Sequence, residues 1–590
     1  MPGFFGQPPL WVGGAAPLVR RVVAGLERRR QRVRVVGLAD LAGLWPGACR
    51  TLVLADPPAP VELVTSLLAQ PGLRTQRGAP LRLILMHQAD PPPPLPDLDP
   101  EGPVSLETFA LEDRAARALL GRWPLHCGLD PVFGQVPPLL VAGFAPPARA
   151  LLVQALRLMA YGEGRPRVSI VAADPRVAAD FALAYPQAGQ VAEIAWIGPQ
   201  LTGLAPLPPV TLVLVCPEPA VADAAATARS LAQRLAADQG VSPPILLEVG
   251  DETPGGTLAD WDGQTFPFSY LDEACRPAVL FDGLGDQLAR TIHEHYTDSI
   301  AAQGRDPDRE PAGRPWSRLT ASYRDANRHQ ADHLWAKLAV MDCRAIQEER
   351  VESFTFAPLE AEQLAVIEHL RWAADRHLDG WRYAPVRDNA RRHHPQLIPY
   401  PDLSEPMKDL DRFAVRGVPT LLARSGLGVV RILIVALPPP AADCPADARL
   451  ARLAVQVLER LVARYPDRSL VIAATLAEPA SRLVARLALD RAGAGLFLLC
   501  ARPLTETLAD QPNAVARLDL LGLATRAERR IALPRPGELE RWVRQRAGIR
   551  LYLGDGPTEV ETQPGTDRPG TAKQVRLDPK TGRAEWEFEY

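Results

Sequence analysis

The chain has 590 residues, 47% of them hydrophobic and 23% charged, an ordinary globular balance that excludes wholesale disorder and calls for about four domains. Its 66 basic and 69 acidic residues leave a net charge of −3, so no global basic excess points to nucleic acid as a partner. No apolar run reaches the length of about 18 residues that a spanning helix needs, so membrane insertion is not expected.

The first residues, through Gly14, show no basic stretch before an apolar core, and no secretory signal is expected. Seven scattered cysteines without a CxxC pair fit reduced thiols of the cytoplasm and argue against a disulfide framework or a zinc ribbon. Cys216 and Cys500 lie in apolar runs and are read as core thiols.

The first segment alternates short apolar runs (Leu10–Val12, Val33–Leu38, Thr51–Ala55, Leu81–Met86) with amphipathic stretches such as Pro17–Arg29. Short apolar strands alternating with helices predict a parallel, doubly wound sheet. Asp90–Pro103 is too rich in proline for either element and reads as a spacer. The pattern restarts with strands at Leu139–Ala142, Val168–Ala172, Val191–Ile197, Val210–Cys216 and Ile245–Val249, and helices at Ala148–Ala160 and Ala220–Ala237. Periodicity leaves open whether these two segments are separate sheets or halves of one. From Gln287 to Arg350 the chain turns helical and polar, and residues 358–428 are dense in aromatics and histidine without a long apolar strand. Strands return at Val430–Ala436, Leu470–Ala474, Leu496–Cys500, Arg530–Leu533 and Arg550–Leu553. The last thirty residues are polar and read as a partly ordered tail or an edge hairpin.

Gly13 and Gly14 stand between a strand and a helix, where glycine lets the backbone approach a phosphate. A tight turn without a ligand explains them equally. The second segment runs strand, Gly143 turn, helix, strand, Asp174, the frame of a dinucleotide fingerprint with the acid placed for a ribose. It resembles the NAD-binding TrkA-N (RCK) domains of bacterial potassium-transport regulators. Only Gly143 of the three fingerprint glycines is kept, Ala145 and Ala148 filling the other places, and Pro146 and Pro147 offer no N–H to a pyrophosphate.

The most specific stretch carries His369, Trp372, Gly380-Trp381-x-Tyr383, Asp388, His394-Pro395, Leu397-x-Pro399-Tyr400, Leu403 and Lys408-x-x-Asp411. It resembles the ryanodine-receptor repeat, the RyR domain, over about 70 residues. That resemblance implies a ligand- or protein-binding module rather than a catalyst. Trp372, Trp381, Tyr383 and Tyr400 offer flat faces for a base, Arg387, Arg391 and Lys408 offer cations for phosphate, and Asp388 an acceptor for a ribose or an amine. Aromatics as the core of a small helical domain, with arginines on a solvated face, is the equally concrete alternative. Pro315-Trp316 and Asn327–His333 resemble the helical lead-in of bacterial TrkA-N–RyR proteins; His329 and His333 have zinc-compatible spacing without a third ligand, so no metal is assigned.

The last α/β segment holds Thr475-Leu476-Ala477-Glu478-Pro479-Ala480-Ser481-Arg482, then Gly554-Asp555-Gly556 and Pro569-Gly570-Thr571. It is similar to SLOG domains, Rossmannoid nucleotide sensors related to LOG-type phosphoribohydrolases. The resemblance implies binding through Thr475, Glu478, Arg482, Gly570 and Thr571. The catalytic glutamate of those hydrolases has no counterpart near the Gly-Thr turn, Glu585 being fourteen residues beyond Thr571.

No nucleophile motif or Walker A loop is present, and no catalytic residue is assigned. The expected fold class is multi-domain α/β: a Rossmann-like domain over 1–135, a TrkA-N-like Rossmann domain over 136–285, a helical linker over 286–357, a small mainly helical RyR domain over 358–428, a SLOG-like Rossmannoid domain over 429–575 and a tail over 576–590. The expected role is a cytoplasmic sensor or regulator that binds a nucleotide-derived ligand without catalysis. The candidate ligands are NAD, an ADP-ribose derivative or a cyclic nucleotide. A protein partner, a separate channel and a second copy of the chain are further candidate partners. An enzyme cleaving NAD or nucleotides at the SLOG-like segment, and a scaffold whose ligand sites are dead, are the competing expectations.

Overall fold

The apolar runs become three separate parallel-strand sheets. The computed structural model describes residues 10–28, 30–43, 50–69, 81–88, 95, 102, 104–198, 209–217, 224–249, 263–281, 284–347, 354–440, 444–554 and 573–586. The chain divides into two compact units. One comprises Met1–Trp123, Ala145–Arg157 and Phe268–His333; the other comprises Pro124–Phe144, Leu158–Pro267 and Leu334–Tyr590.

In the first unit, β1 (Leu10–Gly14), β2 (Val33–Val35), β3 (Thr51–Ala55), β4 (Leu81–His87) and β5 (Val104–Ala110) form a sheet of order β2-β1-β3-β4-β5. All four pairings are parallel. Both faces are covered, as a parallel sheet requires. Val12, Val53, Ile84 and Met86 pack under the helix Ala16–Arg28, while Trp11, Leu52, Leu54 and Leu83 build the core on the other side.

The second sheet has β6 (Leu139–Ala142), β7 (Arg167–Val171), β8 (Glu193–Ile197), β9 (Leu212–Val215), β10 (Ile245–Glu248) and β11 (Thr265–Phe268) in the order β11-β10-β9-β6-β7-β8. Numbered within the sheet, that is 3-2-1-4-5-6, the strand order of dinucleotide-binding folds. The order reverses between β6 and β9, which pair in parallel.

The third sheet is built around β15 (Gly428–Ala436). It continues through β16 (Arg468–Ala474), β17 (Gly495–Cys500) and β18 (Arg529–Ala532) on one side. On the other side lie β19 (Ile549–Leu553), β20 (Lys573–Asp578) and β21 (Arg583–Trp586). Within the polar C-terminal stretch, residues 573–586 form an edge hairpin, β20 and β21 pairing antiparallel. One strand falls in the stretch expected to be a helical linker: β12 (Cys343–Ile346) pairs antiparallel with the start of β15. Among the described residues, no helix is long and apolar enough to cross a membrane.

Candidate functional site: a helical module with an arginine-lined hollow

The module between β12 and β15 starts with the helix Pro358–Leu378. Proline in its first turn and Glu360, which accepts the Ala357 N–H at 2.8 Å, set its N-terminus. Gly380 ends it in the left-handed region at φ 82°. Two-residue strands β13 (Arg382–Tyr383) and β14 (His393–His394) pair in parallel and close a loop between them. A second helix, Glu405–Arg416, packs back onto the first, and Val418–Arg424 leads into β15.

A buried charge triad fixes the long helix. Glu368 accepts from Lys337 at 2.7 Å and from Arg371 at 2.8 Å, and all three side chains are buried. Burial alone would raise the Glu368 carboxyl, but the Arg371 and Lys337 charges more than offset it and hold it down at about 2. Arg431 on β15 donates to Glu360 at 2.7 Å and to the Met341 carbonyl at 3.1 Å, tying the module to the third sheet.

The aromatics form an interior chain. His394 lies edge-on to Trp372 (4.9 Å between ring centroids) and to Trp381 (6.0 Å), and His369 lies 5.7 Å from Trp372 and 5.9 Å from Tyr400. Tyr400 is 5% exposed and donates its hydroxyl to Glu362 at 3.0 Å; burial and that carboxylate raise its pKa. Arg412 forks onto Glu362 at 2.7 and 3.0 Å. Lys408 sits 5.6 Å over the Tyr400 ring and 3.3 Å from Glu405. Trp372, Trp381, Tyr400 and Lys408, considered from the sequence as ligand contacts, thus make contacts within the module.

The loop between β13 and β14 is different. Ala384, Pro385, Val386, Arg387, Asp388, Asn389, Arg391 and His393 line an open hollow of about 640 Å³, within the size range of small-molecule sites. Three of the expected ligand residues, Arg387, Asp388 and Arg391, meet here. Tyr383 stands beside them, 56% exposed, and Val386 is 74% exposed. The loop is held at its ends, where the Arg382 N–H donates to the Arg392 carbonyl at 2.9 Å and the Ala384 N–H to the His394 carbonyl at 3.4 Å, and within its second half, where Asp388 and His393 exchange backbone hydrogen bonds at 3.1 and 2.8 Å and Arg392, at φ 56°, donates to the Asp379 carbonyl. Asn389 and Val386 were not singled out from the sequence; the available signal was the place of Asn389 between Arg387 and Arg391 and of Val386 just before Arg387.

The other expected residues lie elsewhere. Gly14 has φ 128°, and a Cβ there would overlap the Ala55 carbonyl oxygen, while Ala15 N–H donates to that oxygen at 2.7 Å. Gly14 thus lets the turn pack closely on β3, while a Cβ on Gly13 would lie 3.1 Å from the Val36 carbonyl oxygen. Gly143 has φ 83°, and a Cβ there would overlap the Cys216 carbonyl oxygen at the end of β9. Asp174 is taken up locally by Arg176 (2.9–3.1 Å). Beside Gly143, Phe144 packs against Phe181 and Trp196, so these aromatic side chains pack on one another at the carboxyl end of the sheet. In the third sheet, Arg482 is buried, bonded to Asp519 at 3.0 Å and to the carbonyls of Leu476 and Ala477 at 3.0 and 2.7 Å. It staples the turn after β16, where Thr475 and Glu478 lie half-buried. Gly570 and Thr571 lie outside the described residues.

The architecture is that of a mixed α/β protein with several parallel-strand sheets and a small helical module that carries an arginine-lined hollow. The family model described as the RyR domain matches residues 358–431, which is this module and the first residues of β15. No curated protein matches the chain.

Proposed function

We propose that the protein is a non-catalytic sensor whose RyR module binds a nucleotide-derived anion in the hollow between β13 and β14. One observation carries this reading: Arg387 and Arg391 expose guanidinium groups on the same hollow, within a loop pinned at both ends. Preplaced guanidiniums suit phosphate, which they can bind through paired hydrogen bonds. The likeness of residues 136–285 to TrkA-N domains and of 429–575 to SLOG domains belongs to the same proposal, as does a bacterial origin and a cytoplasmic place of action. The strand order of the second sheet supports a nucleotide-binding ancestry there, while Phe144, Phe181 and Trp196 favour the RyR module as the working site.

The test is calorimetric titration of the full chain with NAD, ADP-ribose, cyclic ADP-ribose and cyclic nucleotides, with product analysis alongside. Saturable binding without turnover is expected. Arg387→Gln and Arg391→Gln should each weaken it by about tenfold, since a charge-assisted hydrogen bond contributes roughly 1.5–3 kcal/mol. Trp381→Ala is the poorer probe, because that ring packs on His394 and under Arg376. Unchanged affinity in both arginine variants, or hydrolysis of the ligand, would remove this reading. A second reading, docking of a protein partner, draws on exposed Tyr383 and Val386 beside the hollow; it predicts that Val386→Asp abolishes capture of that partner and spares nucleotide titrations.

A further inference from the structure

The hollow contains a carboxylate as well as two cations, and the carboxylate limits what fits. Asp388 Oδ1 is committed: it accepts the backbone N–H of Arg391 at 3.0 Å, which shapes the loop. Its Oδ2 is 3.8 Å from Arg391 Nε, too long for a hydrogen bond. The Asp388 side chain lines the hollow and is 37% exposed, so a ligand gains by offering that oxygen a donor. The donor is a neutral one. An ammonium group would be repelled by the Arg387 and Arg391 guanidiniums that share the hollow. Arg387 spends only Nε on a neighbour, the Asn389 side-chain oxygen at 3.0 Å, and its terminal nitrogens remain for an anion. An anion alone leaves the Asp388 carboxylate as a like charge at its side. An anion joined to a hydroxyl turns that same carboxylate into a hydrogen-bond partner.

Resting on the anion-binding reading above, we infer that the hollow takes a ribose phosphate, the phosphate on Arg387 and Arg391 and the ribose 2-hydroxyl on Asp388 Oδ2. Ala384, Pro385 and Val386 supply the apolar side of the hollow, against which the sugar ring lies. Asp388 is thereby the residue that determines specificity, and the guanidiniums supply affinity.

The experiment titrates the full chain with inorganic phosphate, ribose 5-phosphate and 2-deoxyribose 5-phosphate. The wild type should bind ribose 5-phosphate about tenfold or more tightly than its deoxy analogue, the ratio expected for one hydrogen bond to a charged acceptor. Asp388→Asn keeps an oxygen for the Arg391 N–H and so keeps the loop, but it should bring the two sugars to equal affinity. Equal affinities in the wild type, or a ribose preference that survives Asp388→Asn, would overturn the ribose assignment and leave the anion site standing. Binding of all three probes that is unaffected by the Arg387→Gln/Arg391→Gln double variant, or no binding of any, would overturn the anion site itself and the ribose assignment with it.

Discussion

His394 shows how one side chain can organise the module. It is buried between Trp372 and Trp381, and its Nδ1 accepts the Gln396 N–H at 3.2 Å, which places the ring proton on Nε2. Burial pushes its pKa down to about 4, and the Arg387 and Arg376 charges act in the same direction. The folded value lies below the roughly 6.5 of an unfolded histidine. Its stabilising contribution is therefore present above about pH 6.5 and is lost as the pH falls from there toward 4. Thermal midpoints of wild type and His394→Gln measured across that window should converge on acidification. A difference that stays constant with pH would mean that the ring is already charged in the folded module. Glu368 behaves with the opposite charge and the same sign of dependence. Its carboxyl is held at about 2, below the ordinary 4.5, so its stabilisation is present above about pH 4.5 and is lost as the pH falls from there toward 2.

At the scale of elements, Gly143 separates what a strand–turn–helix frame needs for packing from what it needs for a ligand. Gly143 adopts φ 83° where β9 closes over the turn. Gly143→Ala combines a left-handed alanine, at about 1–2 kcal/mol, with overlap on the Cys216 carbonyl. It should lower the thermal midpoint of the second unit in the absence of any nucleotide. A variant as stable as wild type would show that the turn can relax, and would return the glycine to a ligand role. Most strands were legible because two-sided burial writes them as continuous apolar runs, as in Thr51–Ala55 and Leu496–Cys500. β5, β11 and β12 were not. Val104–Ala110 is an edge strand carrying Ser105, Glu107 and Thr108, Thr265–Phe268 contains a proline, and Cys343–Ile346 has four residues with an arginine among them. Val191 closes a short helix rather than opening β8, and the expected strand Val33–Leu38 ends at Val35 before a 3-10 turn. The candidate site was legible as residue types and not as directions. Tyr400 and Arg387 are both plausible ligand contacts in a sequence, and only the packing shows that one bonds Glu362 inside the module while the other lines the hollow.

At the largest scale, the second unit is joined by one carboxylate. Asp130 precedes the second sheet, yet it accepts from Arg529 on β18 at 2.8 Å, from Trp542 Nε1 at 3.0 Å and from Arg546 Nε at 2.6 Å. Arg546 then reaches Asp342, at φ 50° just before β12, with two bonds of 2.7 and 2.6 Å. The approach to the second sheet, the lead-in to the RyR module and the third sheet thus meet at a single ionic cluster. Arg529 is buried there, over the Phe497 ring at 4.5 Å. Asp130→Ala would strand that guanidinium without its carboxylate, which costs about 3–5 kcal/mol for a buried pair broken on one side. The expected outcome is a lower thermal midpoint of this unit and faster proteolysis, with Asp130→Asn intermediate because it still accepts hydrogen bonds. Affinity at the hollow should be unchanged, since every residue lining it lies in the stretch 384–393, the loop and the first residue of β14. That loop is pinned by bonds from within the module and not from Asp130. A variant that loses ligand along with stability would instead show that the hollow depends on the cluster, and that the module reports ligand binding to the sheets through it.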